Sequence, residues 1–465
     1  MRSLAAFLLA SLCALPVPRV DAFVVSSEPV RGMDPTHPHR LLEQRYFVGS
    51  ALFESPLVSR ETLQTLKIGV PGRVFVSYNY DLGSPAQTSW TNIDWTTHAA
   101  TVRFSGNSED VFEYFEVASS DYGTIEVRRR ANAKNSLKEA YMLVEISLAQ
   151  SHSLTQIINT GTAEIIVEDQ VFASDPKSAI KVQLHSSGDV YINSGSTERA
   201  GSLEVDASGS GDVHWLMGDL QTQKLSLNLA GSGDFTLVGQ RLESSAVDVA
   251  IAGSGDVCID AAASLQANSL YTSTLGSGTI SVASPTAHCT HEDITILGSG
   301  DVFLGSVQAS DVKVTIAGSG DVYVQAVHSI TGSAFGAGDV KYIGTAPQLI
   351  SDRRDSSVFS SAQNRKYKPI AKPKAKNKFE KCRLATFPPR EAVLVNTRLL
   401  INPAISLGPL IFLALLSCCY LRSQRRPSRR ARHYPHPEMQ PLMPMMPPPQ
   451  QQEQQQQQQQ NQVWV

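Results

Sequence analysis

The pentapeptide GSGDV at residues 209–213 is one of eight copies, with small variations, in the 465-residue chain. The copies begin at residues 186, 209, 231, 253, 276, 298, 318 and 336, so that successive copies lie 18 to 23 residues apart. Apolar residues alternate with polar ones before each copy, as in residues 225–229, and again after it, as in residues 257–259. Alternation with a period of two predicts strands that bury one face. A fixed period of this length predicts a repeat architecture.

One repeat is therefore expected to be a strand, a glycine corner, a second strand and a looser turn, and stacked repeats would share one core. This predicts an all-β parallel β-helix, or solenoid, of about eight or nine rungs and roughly 40 Å in length. A degenerate earlier copy is predicted at residues 161–165. The second glycine of each corner is expected to adopt φ > 0; these structural corners are Gly188, Gly211, Gly233, Gly255, Gly278, Gly300, Gly320 and Gly338.

The run of GSGDV corners, each preceded by an alternating apolar strand, resembles the auto-transporter adhesin head GIN domain family over residues 145–345. The resemblance implies a β-helical module of the cell surface. The copy at residue 276 departs from the pattern, because Thr279 replaces the aspartate. Since one fold hosts many functions, the resemblance transfers fold more directly than activity.

The segments outside the repeats predict a single-pass protein of the plasma membrane. Residues 1–22 have the charge, apolar run and small-residue cleavage site of a secretory signal. Residues 399–421 are predominantly apolar and uncharged, which predicts a transmembrane helix. Six arginines follow within residues 422–432, so the C-terminus is expected to be cytosolic and the repeats outside the cell.

Three further segments complete the expected domain organisation. Residues 23–145 are β-rich, and either form a sandwich or cap the open end of the solenoid formed by residues 146–350. Residues 351–398 carry 13 Lys and Arg against 4 Asp and Glu, which predicts a basic disordered stalk, either a spacer or a grip for acidic surfaces. Residues 422–465 are rich in Pro and Gln, which predicts a disordered tail that could dock a cytosolic SH3- or WW-type partner.

The cysteines and the aromatic residues leave alternatives open. Cys418 and Cys419, at the end of the expected span, are either palmitoylation candidates or small residues in lipid. A disulfide between Cys258 and Cys289 is compatible with an oxidising compartment but does not follow from spacing. The aromatic residues of the N-terminal region form either a core or a carbohydrate-binding face; they are Tyr78, Tyr80, Trp90, Trp95, Tyr114 and Tyr122.

In-register rungs would stack seven aspartates about 4.8 Å apart. These weak calcium candidates are Asp189, Asp212, Asp234, Asp256, Asp301, Asp321 and Asp339. No second acidic column lies opposite them, so each aspartate is expected to cap its own corner by accepting from nearby N–H groups. Cation binding is the alternative. No cofactor is expected.

The sequence contains no G-x-S-x-G, H-E-x-x-H or Walker loop, and the trio at residues 291–293 is attributed to chance. We therefore expect a surface protein that presents a rigid rod for adhesion or recognition without catalysis. Its ligand is open, with a glycan or cell wall as candidates, and no nucleic-acid partner is expected. The alternative is a β-helical polysaccharide lyase or hydrolase.

Overall fold

A computed structural model describes residues 24–30, 42–49, 63–79, 98–119, 123–133, 137, 140–195, 197–352, 367–370 and 382–395. These residues form twenty-five strands and one short helix. The elements are β1 (Val24–Val30), β2 (Leu42–Gly49), β3 (Thr65–Gly69), β4 (Arg73–Tyr78), β5 (His98–Gly106), α1 (Asp110–Tyr114), β6 (Phe115–Ser119), β7 (Thr124–Arg129), β8 (Ala140–Leu148), β9 (Gln156–Asn159), β10 (Glu164–Val167), β11 (Asp175–Leu184), β12 (Val190–Ser194), β13 (Glu198–Ala207), β14 (Val213–Met217), β15 (Asp219–Leu229), β16 (Phe235–Gly253), β17 (Val257–Gly276), β18 (Ile280–Ala283), β19 (Ala287–Gly298), β20 (Val302–Gly318), β21 (Val322–Gly336), β22 (Val340–Ile343), β23 (Leu349–Asp352), β24 (Tyr367–Ile370) and β25 (Val393–Val395).

The strands stack in parallel and in register, which confirms the all-β solenoid. The strands that follow the corners form one sheet, here called sheet 1, in which Val190, Val213, Phe235 and Val257 occupy equivalent positions. The strands that precede the corners form sheet 2, as in the pairing of β13, β15 and the second half of β16. Nine stacked corners, the first at Gly161, give about nine turns.

The core lies between the two sheets, because the alternating apolar residues of both point inward. Val190, Ile192, Val205 and Leu227 are all fully buried. The rungs differ in length by a few residues, and bulges absorb the difference where sheet 1 turns towards sheet 2, as between Gly239 and Arg241. The inward pattern therefore survives from rung to rung.

The corner glycines are required for a reason other than the expected one. None of the eight second glycines has φ in the left-handed range, so that expectation is wrong. Instead, a Cβ atom at any of them would lie between 2.0 and 2.4 Å from a carbonyl oxygen of the preceding rung. At Gly255 that oxygen belongs to Gly233 and the distance is 2.0 Å. Backbone packs on backbone at the corners, and no side chain fits between.

The stack begins before the GSGDV repeats. β3 and β4 pair in parallel with β9 and β10, so residues 65–78 already form a rung. Beyond it, β8, β5, β2 and β1 extend sheet 1, and β7 and β6 extend sheet 2, mostly with antiparallel pairing. Their apolar residues, such as Phe104 and Phe115, belong to the same continuous core as the repeats.

The predicted fold class needs one correction, which concerns the transmembrane helix. Across the residues that the structure describes, no helix is long and apolar enough to cross a bilayer. The expected signal at residues 1–22, the span at residues 399–421 and the tail at residues 422–465 lie outside the described residues.

The basic segment also differs from the disordered stalk that its composition predicts. Residues 382–395, here called the returning segment, lie along the outer face of sheet 1. Cys382 forms a disulfide with Cys258 in the middle of the rod, and the segment ends as β25, which pairs antiparallel with β8 near the N-terminal end. Part of this basic stretch thus folds back over the acidic solenoid.

Apolar and charged contacts hold the returning segment between these two ends. The Phe387 ring lies 5.7 Å from that of Tyr191, and the Arg390 guanidinium lies 5.2 Å above the ring of Phe75. Arg390 also donates to Glu168 over 2.8 Å. The outward side chains of Phe75, Tyr191 and their neighbours Leu143 and Ile166 are buried under this cover.

Replacement of Gly255 tests the corner geometry. We expect Gly255→Ala to lower the free energy of unfolding by at least about 2 kcal/mol, because its Cβ would force the two rungs apart. Ser254→Ala, on an exposed neighbour, should change it by less than about 0.5 kcal/mol. Urea unfolding measures both, and equal effects would show that the rungs do not approach as closely as described.

Removal of the disulfide tests the returning segment. Cys258 and Cys382 lie 124 residues apart, and a disulfide that closes a long loop contributes about 2 to 4 kcal/mol. We expect the double replacement by Ser to lower the free energy of unfolding by this amount and to speed trypsin cleavage after Arg383. Cys289→Ser, at a free buried thiol, is the control. Unchanged cleavage would mean that the other contacts suffice to hold the segment.

Candidate functional site

The structure brings the corner aspartates into one ladder, in which six of the seven cap the next rung rather than their own corner. Oδ1 of Asp212 accepts from the backbone N–H of Asp234 over 2.8 Å, and Oδ1 of Asp234 accepts from Asp256 over 2.8 Å. The same bond recurs from Asp189 to Asp212, from Asp256 to Thr279, from Asp301 to Asp321 and from Asp321 to Asp339. The ladder therefore links neighbouring rungs by hydrogen bonds.

The second carboxylate oxygens are only partly occupied. Oδ2 of Asp189 accepts from the Tyr191 hydroxyl, and those of Asp321 and Asp339 accept from Lys341 and Lys368. Among the described residues, no group of three or more His, Cys, Asp or Glu side chains is arranged to hold a metal ion. The geometry thus gives each aspartate a structural task on at least one oxygen.

On the side of the solenoid away from the corners, a long groove runs parallel to the rod axis. It has a cavity volume of about 830 Å³ and crosses six successive rungs, from Ala200 to Ala309. At the strand spacing of about 4.8 Å, five steps make it roughly 24 Å long. Two columns of exposed side chains form its walls, and a column of small buried residues forms its floor; we call it the polar groove.

Small side chains on the floor make the bend that shapes the polar groove. In three rungs a hydroxyl or thiol donates to the carbonyl two residues later: Thr222 to Lys224 over 3.0 Å, Ser244 to Ala246 over 2.8 Å, and Cys289 to His291 over 3.1 Å. These bonds satisfy carbonyls that turn away from the sheet ladder. In the other three rungs the floor residue is alanine.

The walls carry mainly amide and hydroxyl groups. One wall includes Gln221, Gln266 and Gln308, and the facing wall includes Gln223 and Asn268. The side chains of these five residues form no hydrogen bond with any other residue that the structure describes. Their amides are therefore available to a ligand, each with donors and an acceptor.

Charge is sparse and balanced along the polar groove. Arg199 lies at one end, Glu243 two rungs further on and His288 two rungs beyond that. Within the described lining Glu243 is the one carboxylate. The floor thiol is inert, because burial, together with a smaller contribution from the carboxyl of Glu292, raises the pKa of Cys289 to about 12.

Two buried carboxyl groups face the core rather than the polar groove. Burial raises the pKa of Glu198 to about 7, and the nearby Ser194 hydroxyl opposes this only in part. Burial also raises the pKa of Glu292 well above its ordinary value. Glu292 occupies a core position between Leu270 and Val312 in the adjacent rungs, and neither oxygen has a hydrogen-bond partner.

The polar groove was not among the sites predicted from sequence, whereas the aspartates and corner glycines were. A signal existed: Gln, Asn, Ser and Thr recur at matching positions of successive rungs between the strands. Cys418, Cys419, Trp90 and Trp95 lie outside the described residues. Tyr114 is buried against Phe115 in the core, and Cys289 is unpaired.

The family described as "Putative auto-transporter adhesin, head GIN domain" matches residues 99–283 and 260–346. No curated protein matches. Crystal structures resemble the chain with low scores: a "putative lipid binding protein" from Parabacteroides distasonis has 15% identity and a TM-score of 0.31, covering 68% of this chain and 94% of its own. A "putative adhesin" from Bacteroides fragilis has 16% identity and a TM-score of 0.26, covering 73% and 98%. TM-scores this low carry no weight for fold or ligand.

Substitution of Asp234 separates capping from cation binding. Asp234→Asn keeps an acceptor for the Asp256 N–H and relieves repulsion along the ladder, so stability should hold or rise slightly. Asp234→Ala leaves that N–H without the side-chain acceptor and should cost about 1 kcal/mol or more. Millimolar calcium should leave the melting temperature of both variants and of the parent unchanged. A calcium-dependent rise of several degrees that Asp234→Asn removes would contradict this expectation.

Substitution of Glu292 tests the buried carboxyl. Its raised pKa means that the folded state holds a proton which the unfolded chain releases above pH of about 4.3, so stability should fall as the pH rises above that value. Glu292→Leu should raise the free energy of unfolding at pH 7 by at least about 1 kcal/mol.

The gain from Glu292→Leu should shrink towards pH 4, where both states of the parent are protonated. Glu292→Gln, which does not titrate but keeps a polar group in the core, should give a smaller gain. Urea unfolding at several pH values measures these differences, and a gain that does not vary with pH would refute the assignment.

Proposed function

Because this chain belongs to the auto-transporter adhesin head GIN domain family, we propose that it is a recognition protein of the cell surface. It holds a surface ligand along the polar groove and does not change that ligand chemically. The observation that carries the proposal is a continuous groove across six rungs on a rigid scaffold, whose amide side chains hydrogen-bond to no residue that the structure describes.

Rigidity suits this role. The walls stand on strands that pair with both neighbouring rungs on either side of the bend, so the amides keep a fixed spacing before any ligand arrives. Binding sites held by packed elements lose little conformational freedom on association, which favours affinity. The small floor residues keep the groove open along its whole length.

Hydrolysis or elimination of a polysaccharide is the alternative, and the arrangement of carboxyl groups speaks against it. Most glycosidases use two carboxyl groups within about 5 to 9.5 Å of each other on opposite sides of the bond. Glu243 stands alone in the polar groove. The groups with raised pKa values, Glu198 and Glu292, are almost fully buried and lie four rungs apart, roughly 19 Å along the axis.

Retention on isolated cell-wall preparations tests the proposal. We expect the full chain to be retained, and no soluble carbohydrate to be released during the incubation. Ser245→Trp, which would fill the polar groove, should weaken retention by about tenfold or more, while Gln240→Trp, at an exposed position outside the groove lining, should not. Release of soluble carbohydrate would favour the alternative of a polysaccharide-cleaving enzyme. Equal retention of both variants would show that the binding site does not lie in the polar groove.

A further inference from the structure

We propose that the ligand of the polar groove is an uncharged, linear glycan chain that lies parallel to the rod axis. This inference rests on the proposed function and specifies its ligand class. It follows from the direction, the charge and the side-chain chemistry of the groove, considered in turn below.

The direction of the polar groove disfavours a peptide strand. A peptide that adds to a sheet needs unpaired backbone groups at a strand edge. Here the groove crosses the strands, and β13, β15, β16, β17, β19 and β20 pair with both neighbouring strands on either side of the bend, where one wall position in each rung, such as Asn268, is left out of the pairing. A bound chain must therefore be recognised through side chains.

The charge of the lining disfavours polyanions. Arg199 and Glu243 offset each other, and the described lining contains no lysine. A polymer with many carboxylates, sulfates or phosphates needs several positive charges, because counterion release supplies most of its affinity. The ladder of corner aspartates adds further negative charge to the same rungs.

The side chains of the lining disfavour lipid tails and apolar peptide anchors. Drug-sized and lipid-like ligands need mainly hydrophobic and aromatic walls. Among the described residues the lining has no Phe, Tyr or Trp, and its apolar members are mostly small, such as Ala200, Ala267 and Ala309.

What the walls offer is a repeated set of amide and hydroxyl groups. Gln266 and Asn268 face each other across the groove in one rung, and His288 and Thr290 do so in the next. Amide side chains lie in three of the six rungs, at Gln221 and Gln223, at Gln266 and Asn268, and at Gln308. Each of these amides can both donate to and accept from a ligand hydroxyl group. A chain of neutral sugars carries such hydroxyls at regular intervals.

Binding of defined polymers to the full chain tests the ligand class. The neutral probes are linear β-1,3-glucan, β-1,4-xylan and β-1,4-mannan; the others are polygalacturonate, heparin and phosphatidylcholine vesicles. We expect at least one neutral polymer to bind, with a Kd that stays constant between about 50 and about 200 mM NaCl. Binding of none of the neutral polymers, or binding of the anionic polymers or vesicles alone, would overturn the proposal.

Groove variants locate the binding. Gln266→Ala combined with Asn268→Ala should raise the Kd for the neutral polymer about tenfold, which corresponds to two lost hydrogen bonds. Gln240→Ala, outside the lining, should leave it unchanged. Gln266→Lys should weaken a neutral ligand but tighten an anionic one.

The outcomes separate this inference from the proposed function. If cell walls retain the protein through the polar groove but neutral polymers do not compete, recognition stands and the glycan class is wrong. If neutral polymers bind but the groove variants bind them equally well, the site is wrong. If bound polymer is cleaved, recognition without turnover fails.

Discussion

The approach of one glycine backbone to the next at the corners sets the geometry of the whole solenoid. At Gly255 the space for a Cβ is occupied by the carbonyl oxygen of Gly233, so neighbouring rungs meet at the closest distance that two backbones allow. Because the same contact recurs in every repeat, the strands on either side are held in register. The inward residues then align into columns that exclude water.

Register at the corners has consequences on both outer surfaces of the rod. Beside the corners it places each aspartate within reach of the amide of its counterpart one rung away, so a carboxylate column becomes a set of bonds between rungs. On the opposite side it aligns short polar side chains into two walls. A one-residue slip would turn the amides of Gln266 and Asn268 inward and Leu265 outward, destroying core and groove together.

Much of the fold follows from the sequence, because alternation and the spacing of the glycines are local signals. For several residues, however, the contact that requires the residue is made with a different rung. The sequence around Gly255 predicts a left-handed corner. Only the position of the preceding rung shows that a side chain at residue 255 would collide with the backbone of that rung. From the sequence, Asp234 is likewise predicted to cap its own corner, although the N–H that donates to it lies 22 residues further on.

The polar groove and the disulfide were not predicted from the sequence, for a related reason. Gln266 and Asn268 look like ordinary polar turn residues until the stack brings Gln221, Gln223 and Gln308 into line with them. Cys258 faces outward from its strand, and composition alone assigns Cys382 to a charged spacer. Phe75, Ile166 and Tyr191 are apolar residues on an outward face, which indicates that another segment covers them. This pattern can be recognised only when it is known which face of each strand points outward.

The returning segment determines how the rod would respond to tension. A force that pulls on the chain beyond Val395 enters at β8, near the first rungs, instead of peeling strands from the C-terminal end. If β25 detached, the force would next reach Cys382 and pass through its sulfur to Cys258. The chain between the two cysteines, which are 124 positions apart, would then lie outside the strained path. The rungs formed by this part of the chain could remain folded, because the disulfide would transmit the tension directly to the middle of the rod.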